Sequence, residues 1–204
     1  MTSRYTFLVD TYATEMLKVL SVWSMAVDDD LDVRPRRGDP RGRTMREQMI
    51  HQCQSENGWF VSMFGIAAPG EVLPAELSRL GFLRYYAAAT EHRRAALASK
   101  DDAWWEAEVA FFETRRPRTW ILVRRVAHTA HHRGQQTAML RMSGRSLHST
   151  YGPSADTGGL PKDKAQVVYA YPDVQALLAG EATGGRKVPL PPSVARAVTE
   201  RPGT

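Results

Sequence analysis

The sequence predicts an all-α fold, a four-helix bundle followed by an irregular C-terminal extension. Two observations carry this prediction. Apolar residues recur at three- and four-residue steps along four long segments, which is the spacing of one face of an α-helix. After Gly144, this periodicity gives way to a stretch rich in glycine and turn-forming residues. We therefore expect a bundle over residues 1–143 and an extension over residues 144–204, packed on the bundle or partly flexible.

Local signals indicate where these helices begin. The segment Thr44-Met45-Arg46-Glu47 has the form of a capping box, in which the hydroxyl and the carboxylate each bind a free backbone N–H. Pro74 is a favoured first-turn residue and predicts the start of the third helix. The predicted helices are residues 4–27, 44–64, 74–99 and 117–142.

The connecting segments carry weaker signals. Residues 28–43 are acidic and then rich in arginine, proline and glycine, which predicts a loop. Residues 100–114 are ambiguous, because Asp101 can cap a short helix while the neighbouring aromatic pairs favour a packed connection. The extension contains a β-prone run at residues 167–171 and two expected short helices, at about 173–179 and 193–200.

Composition limits the class of protein. The chain has 204 residues, of which 43% are hydrophobic, enough to bury a full core. Cys53 is its single cysteine, which excludes an intrachain disulfide and a cysteine-based zinc cluster. No apolar run approaches the roughly 18 residues of a membrane span, so no membrane association is expected. The first residues also lack the apolar region of a signal peptide, and we expect a cytoplasmic location.

The net charge of +5 raises the possibility of a nucleic-acid partner. Arginines concentrate in residues 34–46 and again in residues 115–125. However, the acidic run Asp28–Asp30 stands beside the first cluster, and aromatic residues are not interleaved with basic ones in a binding motif. These observations argue against nucleic acid as the partner.

A histidine-rich string in the fourth predicted helix points to a metal site. His128 and His132 are separated by one helical turn and project from a face that also carries apolar residues. Side chains at this spacing have Cβ atoms about 6 Å apart, which lets both rings approach one metal ion. The alternative is a pair of hydrogen-bonded histidines in the core.

A third ligand has to come from another helix, and His51 on the second helix is the best candidate. Its face of the helix is small and polar, as expected for the wall of a cavity, whereas Cys53 lies on the opposite, apolar face and is expected in the core. The alternative for His51 is a histidine at the surface. Two further residues, His131 and Gln135, are candidates for supporting or orienting the ligands.

Several other polar residues receive weaker assignments. Ligating histidines commonly donate their second N–H to an acceptor, and the candidates are Glu15, Glu47 and Ser55. Arg133 projects away from the predicted site and is expected to form an ion pair or lie at an interface. His92 is expected to face solvent, and no specific role is expected for His148.

The string H-T-A-H-H-R-G-Q at residues 128–135, together with His51 on the second helix, resembles the DinB/YfiT-like superfamily. The resemblance covers residues 4–143 and implies an up-down-down-up four-helix bundle that is often a homodimer. It also implies a metal triad of His51, His128 and His132 that binds a divalent ion such as nickel or zinc. Some members of this group use low-molecular-weight thiols, and others are described as metal-dependent hydrolases.

Three imidazole ligands leave at least one coordination position open, as in catalytic rather than structural metal sites. The leading hypothesis is a metal-dependent transferase that acts on a small-molecule substrate with an external low-molecular-weight thiol. One alternative is a metal-dependent hydrolase that uses metal-bound water. The other is a non-catalytic stress protein that binds a metal or a small ligand. Beyond the metal ligands, no catalytic residue is assigned.

Overall fold

The computed structural model describes residues 3–159 and 161–192. Its helices are α1 (Thr6–Met25), α2 (Met45–Trp59), α3 (Arg79–Ala98), α4 (Asp102–Glu106), α5 (Arg118–Met142) and α6 (Val174–Ala182). Two short strands, β1 (Glu108–Phe111) and β2 (Thr114–Pro117), form an antiparallel hairpin. Short helical turns lie at Asp28–Asp32, Phe60–Phe64, Ala155–Thr157 and Pro161–Asp163.

The long helices α1, α2, α3 and α5 form the bundle, which confirms the predicted all-α fold. Helix α1 packs against α3 and α5, and α2 packs against α5. The apolar side of α2 is buried as expected, with Met49, Cys53 and Phe60 fully enclosed in the core. The opposite side of α2 is thereby directed towards α5, and it carries His51.

The capping box at the start of α2 is present. The Glu47 backbone N–H donates to the Thr44 hydroxyl at 3.1 Å, and the Thr44 backbone N–H donates to the Glu47 carboxylate at 2.8 Å. After Trp59 the helix widens into a π-helical turn, and Gly65 ends it in the left-handed region at a φ of 67°. The prediction of a helix over residues 44–64 is therefore confirmed, with a change from α-helical to π-helical geometry in its last turn.

Helix α3 begins five residues later than Pro74 predicted. The effective cap is Ser78, whose hydroxyl accepts from the Gly81 backbone N–H at 3.1 Å. The chain approaches Gly81 so closely that a Cβ there would collide with the Glu76 carbonyl oxygen. Residues 74–78 therefore form a bend that folds over the first turn of α3.

The ambiguous segment before α5 contains both a short helix and the hairpin. Asp101 caps α4 by accepting from the Trp104 backbone N–H at 2.8 Å. The hairpin was not predicted, because its four-residue strands are short and its turn uses Phe112 at a φ of 52° instead of glycine or asparagine. Aromatic contacts hold it in place: Phe111 lies 5.3 Å from Trp59 and 5.1 Å from Trp120, between ring centroids.

The extension packs on the bundle through α6, which contacts α1 and α3. Asp173 caps α6, close to the predicted start of this helix. The β-prone residues 167–171 do not form a strand; the hydrogen bond from the Ser149 N–H to the Val168 carbonyl, at 2.8 Å, is not continued into a ladder. The expected helix at 193–200 lies outside the described residues, and the division of the chain at residue 143 stays a prediction.

A buried ionic cluster connects all four long helices. The Glu56 carboxylate of α2 accepts from the Tyr12 hydroxyl of α1 at 2.5 Å and from the Tyr86 hydroxyl of α3 at 2.8 Å. It also pairs with Arg93 of α3 at 3.3 Å and with Arg125 of α5 at 3.7 Å. All five side chains are fully buried, so each charge depends on these partners.

Replacing Glu56 with alanine tests how strongly the bundle depends on this cluster. We expect Glu56→Ala to lower the free energy of unfolding by about 3–5 kcal/mol, because two buried guanidinium groups lose their counter-charge. Urea unfolding of the two proteins measures the difference. The control is Glu91→Ala, which removes an exposed pair with Arg94 and should change the free energy by at most about 0.5 kcal/mol. Equal effects of the two substitutions would contradict this role of Glu56.

Candidate metal centre

The three predicted histidines come together between α2 and α5. Each of His51, His128 and His132 offers one ring nitrogen, and these nitrogen atoms all lie within 4.8 Å of one another. Nε2 of His128 lies 3.2 Å from Nε2 of His132. The three rings open into a cavity of about 360 Å³, whose wall also carries Arg43, Arg124 and His131. The spacing permits a single metal ion to be bound by all three side chains.

Helix geometry explains the convergence. His128 and His132 are one turn apart on α5, so their rings lie side by side, with centroids 4.7 Å apart. His51 approaches from the polar side of α2, and its ring centroid is 4.8 Å from that of His132. His132 is buried, while the other two rings are half-buried and reach the cavity.

Gln135 sets the orientation of the His132 ring. Its side-chain oxygen lies 3.0 Å from Nδ1 of His132, so this ring nitrogen donates and Nε2 keeps its lone pair towards the other histidines. His131 is exposed, with its ring centroid 5.1 Å from that of His132, and forms part of the cavity rim. The structure therefore places both residues beside the triad, with Gln135 in direct contact.

His128 has a different environment. Its ring stacks on Trp59, with centroids 6.0 Å apart and planes inclined by only 5°. Its Nδ1 atom is buried without a hydrogen-bond partner among the described residues. An unpartnered buried ring nitrogen is costly unless water or a ligand satisfies it. Trp59 was not identified from the sequence, because its contact with His128 depends on how α2 packs against α5.

The three acceptors suggested for the histidines have other partners. Glu15 pairs with Arg133 at 2.5 Å, which confirms the expected ion pair of that arginine. Glu47 caps α2, and the Ser55 hydroxyl accepts from Arg125 at 2.9 Å. The structure shows no hydrogen bond from any of the three to a ring nitrogen of the triad.

The two remaining histidines lie elsewhere. His92 is exposed, as expected. His148 is buried, and its Nε2 lies 2.8 Å from the Val188 carbonyl oxygen. The expectation that His148 has no specific role is therefore wrong, since it connects two parts of the extension.

Burial and positive charge keep the triad neutral. The pKa values of His128 and His132 fall to about 4, mainly because burial disfavours the charged ring, and the charge of Arg125 lowers them further. The pKa of His51 is also lowered, by burial and then by the charges of Arg43 and Arg125. Neutral imidazole is the form that binds metals, so these shifts suit the three rings to ligation near neutral pH.

These shifts predict how pH affects the metal-free protein. The unfolded chain has histidine pKa values near 6.5, so below about pH 6.5 it binds more protons than the folded protein. The free energy of unfolding should therefore fall as the pH is lowered from about 6.5 towards 4. Urea unfolding at several pH values measures this change. The free energy of unfolding of His128→Ala/His132→Ala should depend less steeply on pH than that of the wild type. The exposed-site variant His92→Ala should keep the wild-type dependence, and identical slopes in all three proteins would contradict the shifts.

Two comparisons with known proteins gave a match. The model of the DinB family matches residues 27–162. A DinB-like protein from Bacillus cereus ATCC 10987, solved at 2.01 Å, superimposes with a TM-score of 0.52 and 20% identity. The match covers 71% of this chain and 93% of that one, and at this identity it supports the shared fold alone.

A search of curated proteins gave no match. Within the described residues, none of the helices combines the length and the apolar character needed to cross a membrane. The family match extends over two thirds of the chain and includes the triad and the helices that carry it. The chain therefore belongs to the DinB family.

Proposed function

We propose that the protein is a divalent-metal-dependent transferase that uses a small external thiol, with His51, His128 and His132 as the metal ligands. The observation that supports this most directly is the convergence of three neutral imidazoles on an open cavity. Nickel and zinc are the metals proposed, because both are commonly bound by imidazole nitrogen. The proposed substrate is a small molecule, and the proposed location is the cytoplasm.

The donor set fits a catalytic metal ion. Three nitrogen ligands leave a coordination position for a substrate atom, and the cavity gives access to it. A divalent ion bound here would lower the pKa of a thiol or a water molecule that reaches the open position. Gln135 fixes the His132 ring, and Trp59 supports the His128 ring. The chain thus supplies oriented ligands and an accessible position.

The thiol has to be external. Cys53 is fully buried on the opposite side of α2 from His51, and burial raises the pKa of its thiol far above the ordinary value. It therefore remains protonated and cannot reach the cavity. A small thiol from solution is the remaining source of a sulfur nucleophile.

Hydrolysis by an activated water molecule is the second candidate function. A hydrolase needs a group that accepts a proton during attack. Among the described residues that line the cavity there is no carboxylate, and His131 is the one titratable group besides the triad and the arginines. A metal ion would lower the pKa of a bound water molecule as it would that of a bound thiol, so dependence on an added thiol is the property that separates the two candidate functions.

Association into a homodimer is proposed separately. Phe112, Trp120 and Val123 are exposed apolar side chains on or beside the hairpin, close to the candidate metal centre. Such a cluster is typical of an interaction surface. The molar mass in solution shows whether the protein forms this dimer. A monomer at all concentrations would exclude it.

Metal content tests the first part of the proposal. After incubation with nickel or zinc and dialysis, the untagged wild type should retain about one equivalent of metal. His128→Ala/His132→Ala should retain less than about a tenth of that amount, because two of the three ligands are lost. The control His92→Ala removes a histidine outside the centre and should bind like the wild type. Equal metal content in all three proteins would overturn the assignment of the ligands.

Binding of a thiol tests the second part. Cobalt-loaded wild-type protein should develop a saturable near-ultraviolet absorption band when 2-mercaptoethanol is added, the signature of sulfur bound to cobalt. The double histidine variant should show no band at the same cobalt concentration. Cobalt binding without a band for any thiol would contradict the transferase proposal. Hydrolysis of p-nitrophenyl acetate without thiol would then support the hydrolase, and no turnover would support a metal-binding protein.

A further inference from the structure

The wall of the candidate metal centre carries two arginines, and Glu47 on the first turn of α2 is the carboxylate that feels the charge of one of them, Arg43. Arg43 precedes α2, and Arg124 lies on α5 one turn before His128. Both side chains are exposed, and within the described residues neither has a hydrogen bond or an ion pair. Four other arginines of this part of the chain do form ion pairs: Arg34 with Glu47, Arg46 with Asp32, Arg125 with Glu56 and Arg133 with Glu15. The two unpaired guanidinium groups thus stand where a substrate would enter.

The charge of this wall is entirely positive. The described residues that line the cavity are two arginines and four histidines, without a carboxylate. Arg43 and Arg124 share the cavity wall with His51 and His128. A divalent cation would add to this positive charge. An anionic group is the ligand that such an environment attracts most strongly, and guanidinium binds carboxylate and phosphate through paired hydrogen bonds.

A second cavity adjoins the first at Arg43. It has a volume of about 540 Å³, and Arg43 lies on the wall of both cavities. Gln135, which orients His132, also borders it, and Met139 and Met142 supply an apolar side. Gln48 is only 4% exposed, and its side-chain oxygen has no hydrogen-bond partner in the described part of the chain. This oxygen has almost no exposed surface, so the Gln48 side chain has to turn towards the cavity before a ligand can donate to it.

We propose that this site selects an anionic small molecule, with a carboxylate or phosphate group held by Arg43 and Arg124 beside the metal position. The body of the molecule lies in the second cavity, against Met139, and donates a hydrogen bond to the Gln48 side-chain oxygen. The inference rests on the proposed function, and it adds the chemical class of the molecule that the centre recognises. The anionic group belongs either to the thiol or to the molecule that accepts the transferred group.

Three thiols of similar size and different charge provide the test. Cobalt-loaded protein is titrated with 3-mercaptopropionate, 2-mercaptoethanol and cysteamine, which carry a negative, a neutral and a positive group besides the sulfur. The dissociation constant is obtained from the absorption band for the wild type and for Arg43→Gln/Arg124→Gln. Each thiol is compared only with itself in the two proteins, so differences in sulfur basicity cancel.

The expected result is a charge-dependent change. The double arginine variant should bind 3-mercaptopropionate about 10- to 100-fold more weakly, because charge-assisted hydrogen bonds are lost. Binding of 2-mercaptoethanol should change less than about threefold, and cysteamine should bind more tightly. The control Arg36→Gln/Arg37→Gln removes the same charge from exposed residues that line neither cavity, and should bind all three thiols like the wild type. Cobalt content near one equivalent in every variant shows that the metal site is intact.

Sulfur-free anions locate the charged group. Propionate and inorganic phosphate are added to the cobalt-loaded proteins, and the shift of the cobalt spectrum is followed. One outcome is that propionate or phosphate binds more weakly to the arginine variant, while the dissociation constants of the three thiols change by the same factor. The anionic group then belongs to the acceptor molecule, and the inference is supported. If neither the thiols nor these anions distinguish the wild type from the arginine variant, the inference is overturned. The band of the wild type with 2-mercaptoethanol does not depend on the arginines. It therefore tests the proposed thiol function independently of this inference.

Discussion

The carboxylate of Glu56 is the point at which the four long helices meet, because it binds side chains from α1, α3 and α5 while being carried by α2. A charge in this position is stable only when every partner is in place. The cluster therefore specifies how the helices are aligned as well as holding them together. Glu56 follows His51 by five residues on α2, and Arg125 precedes His128 by three on α5. The contact that aligns α2 with α5 in the core thus also sets the distance between the histidines at the cavity.

The same arrangement explains the electrostatic character of the centre. Arg125 faces Glu56 on one side, yet its charge also lowers the pKa values of all three histidines. The buried cluster contains two guanidinium groups and one carboxylate, so it contributes a net positive field towards the cavity. Arg43 and Arg124 add to this field from the outside. Imidazoles kept neutral by such surroundings are ready to bind a cation, whereas the arginines around them attract anions.

The parts of the fold that depend on local chemistry could be predicted from the sequence. The capping box at Thr44 and the one-turn spacing of His128 and His132 involve neighbours along the chain, and the polar side of α2 placed His51 correctly by periodicity alone. The hairpin, the late start of α3 and the role of His148 depend on contacts between distant residues, such as Phe111 with Trp59. The same holds for Glu56 and for the two cavity arginines. Arg124 did carry a signal, because it lies one turn before His128, but its lack of a counter-charge is visible only in three dimensions.

The stacking of Trp59 on His128 has a practical consequence. An indole ring held 6.0 Å from one of the candidate ligands gives the centre an intrinsic fluorescent reporter, whose emission is the difference between the wild type and Trp59→Phe because the chain has four other tryptophans. Trp59 is also in contact with Phe111 and Phe112 of the hairpin. The guanidinium carbon of Arg125 lies 5.6 Å from the centroid of the Trp59 ring. Its fluorescence therefore reports on three things at once: occupancy of the histidines, movement of the hairpin and integrity of the buried charges. Comparing emission with and without a paramagnetic ion would separate the first of these from the other two.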